Sequence, residues 1–147
     1  MNLKNKTLTA YLALLFGTLG AHRFYLKGLA DKWGWLHLLA SSIGAYGVRR
    51  VMVFGQDDRL AWVLVPFLGA SLAAACLAAI IFGLMEKTKW NAAYNPSVAS
   101  DASAGNSTGL GIFAVILALL LGATALMSVI AFTGQRYFEA TLKTAES

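Results

Sequence analysis

The chain has 147 residues, of which 58% are hydrophobic and only 13% are charged. This composition is too apolar for an ordinary soluble domain of that size. The net charge of +5 comes from 12 Lys and Arg against 7 Asp and Glu, and because the basic residues flank the apolar runs, they indicate contact with lipid headgroups rather than with nucleic acid.

The first two apolar runs are each shorter than an ordinary membrane span. Residues 7–21 are uncharged and follow a basic head at residues 1–6, an arrangement that also resembles a signal peptide. We expect an uncleaved helix that lengthens at both ends, because flanking lysine side chains can reach the membrane surface. After a polar turn, residues 33–48 form the second run, which Arg49 and Arg50 close. The two runs predict a helical hairpin.

The third and fourth apolar runs are long. Residues 60–85 and 110–134 contain no Asp, Glu, Lys, Arg or His. Each run is about 25 residues, roughly 38 Å as a helix, whereas a hydrocarbon core is about 30 Å thick. Pro66 predicts a kink or a late start in the third helix. The loop at about 86–109 is rich in Ser, Ala, Gly and Asn in its second part and is predicted to be flexible.

Together these runs predict an all-α, polytopic membrane protein with four transmembrane helices in two hairpins. The predicted domains are a hairpin at residues 1–54 and a second hairpin at residues 55–147, which ends in a short charged tail. No period of about 20–50 residues repeats convincingly. In this arrangement both termini lie on the side with more basic residues, so the positive-inside rule predicts cytoplasmic termini. The expected location is the bacterial inner (plasma) membrane.

The segment GTLGAHRFYL, at residues 17–26, carries a motif at the exit of the first run. It resembles the signature of the two-transmembrane (TM2) domain family, in which G-x-x-G-x-H/D-R-F-Y-L leads from the first helix of a hydrophobic hairpin into the turn. The resemblance covers about residues 7–50 and departs from the family pattern at Lys27, where the family usually has Gly. It implies a membrane protein and no particular reaction. It also implies a cytoplasmic turn, as in related animal proteins, which opposes the charge count; we follow the charge count.

Five residues around this turn are candidates for binding lipid or a partner protein. They are His22, Arg23, Phe24, Tyr25 and Lys27. Arg23 could pair bidentately with a phosphate group, and Lys27 could add a point charge. The alternative is an anchor that fixes register and topology, because aromatic and basic residues are common at membrane boundaries. Some family members replace the His, so the resemblance favours Arg23 and Phe24 over His22.

His37 is an ionisable residue within the second run and is therefore a candidate functional residue. Ser41 lies one turn further along the same helical face and could accept or donate a hydrogen bond. The alternative is a structural histidine near the interface. We expect the structural role, because a proton relay needs several titratable groups and only His37 is available in the predicted span.

Small residues recur at every fourth position in the two long runs. They are Ala70, Ala74 and Ala78 in the third run, and Ala114, Ala118 and Gly122 in the fourth. Such spacing lets two helices approach closely in lipid, where packing drives association. We expect these residues to join the third and fourth helices within one chain. A homo-oligomer interface and simple abundance of alanine are the alternatives.

The sequence offers no nucleophile–base pair, phosphate-binding loop, paired intramembrane carboxylates or metal-ligand spacing. Its lone cysteine, Cys76, is expected to act as a small hydrophobe. We therefore expect no catalytic residues, cofactor, metal or nucleic-acid partner. The predicted function is a structural, accessory or interaction role in the membrane, with lipids and either a membrane-protein partner or a second copy as partners. The alternative is a small transporter or channel component, which the few polar residues of the long runs disfavour.

Overall fold

The computed structural model describes residues 3–145. The predictions that include residues 1–2 and 146–147, at the ends of the basic head and the charged tail, lie outside the described residues. The described part of the chain is all-α and forms no strand, which confirms the predicted fold class. Its six α-helices and two short 3₁₀ turns are α1 (Lys6–Phe16), a turn (Gly17–Leu19), α2 (Ala21–Lys27), α3 (Lys32–Phe54), α4 (Arg59–Leu84), α5 (Lys87–Tyr94), a turn (Ser103–Gly105) and α6 (Gly109–Ala145).

Two of these helices, α4 and α6, are long and apolar enough to cross a membrane. They correspond to the third and fourth predicted runs, and Pro66 lies inside α4 without ending it. The prediction of four spans is not confirmed. Helix α3 has 23 residues but includes Lys32, Arg49 and Arg50, and the first apolar run does not form one continuous helix.

The first apolar run reverses direction near its end. Helix α1 ends at Phe16, and Gly20 then adopts a left-handed conformation with φ of 76° before α2 begins. Only glycine adopts this conformation without strain, and a Cβ atom at Gly20 would also overlap the carbonyl of Gly34. Helix α2 returns toward the start of α1, where the backbone N–H of Asn5 donates to Tyr25 Oη at 3.0 Å. Helices α1 and α2 therefore form a short helical hairpin whose two outer ends lie side by side.

The bundle has two ends. At one end, Lys6 Nζ donates to the carbonyl of Met85 and to Ser107 Oγ, both at 2.8 Å. The start of α1, the end of α4 and the start of α6 therefore meet there, and we call this the α5 end. At the other end, Arg136 of α6 lies over the ring of Trp62 and approaches Gln56, which precedes α4. We call this the Arg136 end.

Helices α4 and α6 pack closely and antiparallel along their length. A Cβ atom at Gly69 would meet Val129, one at Gly83 would meet Val115, and one at Gly122 would meet Cys76. On each helix these positions recur at every seventh residue, the spacing of the seam in paired helices.

The predicted small-residue stripes lie only partly in this contact. Ala114 and Ala118 are fully buried, but Ala70 and Ala74 are exposed. Close approach on α4 therefore depends on Gly69, Cys76 and Gly83. The central cluster of buried residues also includes the inner face of α1. Its members are Ala10, Ala13, Leu14, Cys76, Ala79, Ala114 and Ala118.

The loop that was predicted to be a flexible linker is folded against the N-terminal segment. Trp90 of α5 is fully buried, and its Nε1 donates to the carbonyl of Lys4 at 2.9 Å. Asn95 Nδ2 donates to the same carbonyl at 3.0 Å, and Asn91 Nδ2 donates to the carbonyl of Ser100. The polar residues of this loop thus hold the start of the chain at the α5 end.

Candidate functional site: the first turn and its buried polar cluster

Arg23, the first candidate for phosphate binding, is paired within the chain. Its Nε lies 2.6 Å from Asp31 Oδ2, and its Nη2 lies 3.2 Å from Asp31 Oδ1. The hydrogen bond from Arg23 is the main cause that lowers the pKa of Asp31. Since this pairing uses one bidentate edge of the guanidinium, it competes directly with a phosphate ligand.

The other motif residues also build the hairpin. The Phe24 ring lies against Gly34, where a Cβ atom would overlap it, and its centre is 5.4 Å from that of Trp35. Tyr25 accepts the hydrogen bond from Asn5 and lies under the ammonium group of Lys4 at 4.7 Å. Lys27 is exposed at the end of α2.

His22 is buried beside His37, a neighbour that the sequence analysis missed. His22 is only 1% exposed, and the two imidazole rings lie 5.4 Å apart at an interplanar angle of 75°. His22 Nδ1 has no hydrogen-bond partner among the described residues. The prediction that His37 has no titratable neighbour is therefore wrong, because the bend after α1 brings α2 against α3.

Two serines complete the polar cluster. Ser41 Oγ donates to the carbonyl of Thr18 at 2.7 Å and lies 2.9 Å from Ser71 Oγ. His37 Nδ1 lies 3.4 Å from Ser71 Oγ rather than bonding Ser41. Since Thr18 lies in the 3₁₀ turn between α1 and α2, the Ser41 hydroxyl group satisfies a backbone carbonyl that the bend leaves without a helical partner.

A comparison with known families matches the part of the chain that contains the first turn. The TM2 domain family model matches residues 2–48. Residues 2–48 are thus similar to a TM2 domain, and the name TM2 domain below refers to this matched region. Comparison with curated proteins and with solved structures gave no match. The match contains α1, α2 and most of α3, together with His22, Arg23 and His37, but ends before α4 and α6.

The polar cluster joins His22, His37 and Ser41 of the TM2 domain to Ser71 of α4, and it has the groups needed to bind a proton or a water molecule. It offers two imidazole rings, two hydroxyl groups and one unpartnered ring nitrogen. A recess of about 190 Å³ opens beside it and is lined partly by Trp33, His37 and Ser71. No group of three or more His, Cys, Asp or Glu in residues 3–145 is placed to hold a metal ion.

The first turn of the TM2 domain occurs a second time, just beyond it. Arg50 pairs with Asp58 through the same two bonds, at 2.6 and 3.2 Å. Trp62 Nε1 donates to the carbonyl of Gln56 at 2.7 Å, as Trp35 donates to Leu29 at 2.8 Å. Gly28 in the first turn and Gly55 in the second both adopt positive φ, 80° and 84° respectively.

Both turns share the pattern G-x2-G-x2-R-x4-G-x2-D-x3-W, which begins at Gly17 and again 27 residues later at Gly44. This period of 27 residues corrects the expectation that the sequence has no internal repeat, although few residues other than these match. Helix α3 joins the two turns, so the first lies at the α5 end and the second at the Arg136 end. The two copies therefore point in opposite directions along the bundle.

Proposed function

We propose that the protein is a non-catalytic membrane protein in which the TM2 domain is a preassembled interaction module. This proposal rests on the observation that the TM2 motif residues make their contacts within the chain. Arg23 is paired with Asp31, Phe24 packs on Gly34 and Tyr25 binds Asn5. These contacts stabilise a fixed shape and leave other residues of the turn to face outward.

We propose that three helices, α3, α4 and α6, cross the membrane and that α1 and α2 form a re-entrant hairpin. Helix α3 has 23 residues, about 34 Å, which is enough for a hydrocarbon core of about 30 Å. The contact between Asn5 and Tyr25 supports a hairpin that enters and leaves at the same end. The hydrogen bond from Ser41 to Thr18 shields the bend from lipid.

This arrangement places the described parts of the two termini on opposite sides of the membrane. The basic residues at the α5 end are Lys4, Lys6, Arg23, Lys27, Lys32, Lys87 and Lys89, and those at the Arg136 end are Arg49, Arg50, Arg59, Arg136 and Lys143. The positive-inside rule then favours a cytoplasmic α5 end. The charge count now agrees with the cytoplasmic turn that the TM2 resemblance implies. A bacterial inner membrane is the proposed location.

The outward residues of the first turn are the proposed contact with a membrane-protein partner. Leu29 is 72% exposed and Trp33 is 63% exposed, although exposed aromatic side chains at this depth also contact lipid. The second turn offers a matched surface, since Met52 and Phe54 are 81% and 64% exposed. The two turns therefore supply a test variant and its control in one chain.

Affinity capture in mild detergent, followed by mass spectrometry, tests the interaction role. We expect Leu29→Ala with Trp33→Ala to lose a partner that the unmodified protein captures in near-equal amount. The control, Met52→Ala with Phe54→Ala, should retain it. Equal capture by both variants, or no partner with the unmodified protein, would contradict the proposal.

A second candidate function, proton or ion transport, is favoured by the cluster of His22, His37 and Ser71. Ionisable residues in membrane helices mark transport paths in many proteins, and broken helices and inverted repeats are common in transporters. Proteoliposomes that contain a pH-sensitive dye would test it. Proton flux that His22→Phe and His37→Phe each abolish would favour transport, whereas flux equal to that of empty liposomes would favour the interaction role.

A further inference from the structure

The re-entrant hairpin fills only half of a groove between α4 and α6. At the α5 end, α1 packs against both helices through Ala10 and Ala13. Toward the Arg136 end, the same helix faces enclose an apolar space of about 400 Å³. Leu72 marks the boundary, because it packs against the buried cluster beneath α1 and also lines the open space. We call this open half the α4–α6 groove.

The α4–α6 groove leads to a more polar pocket at the Arg136 end. Phe132 lines both spaces, and the second holds about 250 Å³ between Val51, Gln56, Gln135 and Arg136. The apolar groove thus continues directly into a pocket with a cation and two amide groups. A phospholipid has the same sequence of parts, an acyl chain followed by a charged headgroup.

The Arg136 side chain is held in place by its neighbours, but one of its hydrogen-bond donors has no partner among the described residues. Its Nη1 lies 2.6 Å from Glu139 Oε2 and its Nη2 lies 3.4 Å from Gln56 Oε1. Its guanidinium lies 5.2 Å from the ring centre of Trp62 and 5.4 Å from that of Phe132. The Nε of Arg136 is buried and has no hydrogen-bond partner among the described residues. The aromatic rings therefore fix a cation that still has a donor to offer.

We infer that the groove and pocket bind one anionic phospholipid from the leaflet at the Arg136 end. The phosphate accepts a hydrogen bond from Arg136 Nε, with Gln56 and Gln135 amide groups beside it, and one acyl chain lies along the α4–α6 groove. The carboxylate of Glu139 already contacts Arg136, so the phosphate shares the guanidinium with it. This inference rests on the proposed arrangement of the helices in the membrane.

Depth and charge favour a lipid over a protein helix as the occupant. The groove extends along α4 from Val65 to Leu72, about 10 Å, which is less than one leaflet of a core about 30 Å thick. A partner's transmembrane helix would need a cleft through both leaflets, and α1 closes the other half. Arg49 is exposed at the same end, and its positive charge favours an anionic headgroup.

Native mass spectrometry of the full chain in mild detergent tests the inference, with phosphatidylglycerol and phosphatidylcholine added separately. We expect one phosphatidylglycerol per chain, bound about tenfold more tightly than phosphatidylcholine. Arg136→Gln should remove most of this preference. Arg59→Gln, at the same end but outside the pocket, is the matched control and should change binding by less than about twofold. Ser128→Phe should block the groove and weaken the binding of both lipids.

Three results would overturn the inference. They are equal binding of the two lipids, equal effects of Arg136→Gln and Arg59→Gln, or a second copy of the chain that occupies the groove and is lost with Ser128→Phe. A thermal unfolding curve for each variant distinguishes lost binding from lost fold. Accessibility labelling of the two termini tests the membrane arrangement separately, so absent lipid binding with termini on opposite sides would contradict this inference alone.

Discussion

Arg23 and Asp31 are joined by two nearly parallel hydrogen bonds across the first turn, from Nε to Oδ2 at 2.6 Å and from Nη2 to Oδ1 at 3.2 Å. The pair connects the last turn of α2 to the residue that precedes α3, and Gly28 lies between them at positive φ. Because the carboxylate of Asp31 also neutralises the charge of Arg23, the turn can lie at the membrane boundary without an unpaired guanidinium group. Arg23 of the motif thus stabilises the first turn in this chain.

The ion pairs predict a loss of stability in acid. The hydrogen bond from Arg23 lowers the pKa of Asp31, and that from Arg50 lowers the pKa of Asp58. Both carboxylates therefore stabilise the fold above their ordinary pKa near 4, and this contribution is lost as the pH falls through the lowered values. We expect the midpoint temperature of unfolding in detergent to decrease when the pH is lowered below about 4. The fall should be smaller in the double variant Asp31→Asn, Asp58→Asn, and an equal fall would contradict the assignment.

The bend between α1 and α2 depends on glycine at one crowded position. Gly20 and Gly28 have similar φ values, 76° and 80°, but a Cβ atom would overlap Gly34 only at Gly20. We expect Gly28→Ala to cost roughly 1–3 kcal/mol from backbone strain alone, because its φ of 80° and ψ of 176° lie in a region that is essentially restricted to glycine. Gly20→Ala adds a steric overlap, which should raise the cost to roughly 3 kcal/mol or more. Unfolding in detergent measures both, and equal costs would argue against the close approach of α2 and α3.

The buried serine pair provides a second comparison of matched variants. Ser41 Oγ donates a hydrogen bond to the carbonyl of Thr18 and is also hydrogen-bonded to Ser71 Oγ. Ser42 Oγ is exposed and donates to the carbonyl of Leu38 within α3. Ser41→Ala should destabilise the protein by roughly 1–3 kcal/mol, because it leaves buried polar atoms without a partner. Ser42→Ala should cost less than about 0.5 kcal/mol. A negligible effect of Ser41→Ala would mean that the bend at Thr18 is not held by α3.

The contact of α4 with α6 predicts which small residues matter. A Cβ atom at Gly122 would lie 2.7 Å from the Cβ atom of Cys76, so Gly122→Ala should cost roughly 1–3 kcal/mol. Ala74 is exposed, so Ala74→Val should be tolerated within about 0.5 kcal/mol. Cys76→Gly combined with Gly122→Ala should recover part of the loss. The reverse order of the two single variants would favour the alanine stripe as the true interface.

The long helices could be predicted from the sequence because their signal is local. The uncharged run at residues 60–85 became α4 (Arg59–Leu84), and the run at 110–134 became the first part of α6. The predicted second run, residues 33–48, lies within α3, but the helix extends beyond the predicted end. Helix α3 continues through Arg49 and Arg50 to Phe54, because long basic side chains can reach the surface without ending a helix.

The path of the first run and the polar cluster could not be predicted in this way. The run has the composition of a span, and its reversal depends on contacts with distant residues, such as Asn5 with Tyr25. His22 and His37 are far apart in sequence and meet only because α2 folds back against α3. The repeated turn was detectable in principle, by aligning the glycines, arginine, aspartate and tryptophan at their fixed spacing.

The most direct test of the account is the side of the membrane on which the N-terminal segment lies. Single cysteines at Leu3, Leu29 and Tyr137, in a Cys76→Ser background, would be labelled in intact cells with a maleimide that does not cross membranes. The re-entrant hairpin predicts that positions 3 and 29 react alike and that position 137, at the Arg136 end, behaves oppositely. If the cysteines at positions 3 and 137 reacted alike and the cysteine at position 29 behaved oppositely, the first run would cross the membrane. That result would contradict the re-entrant hairpin.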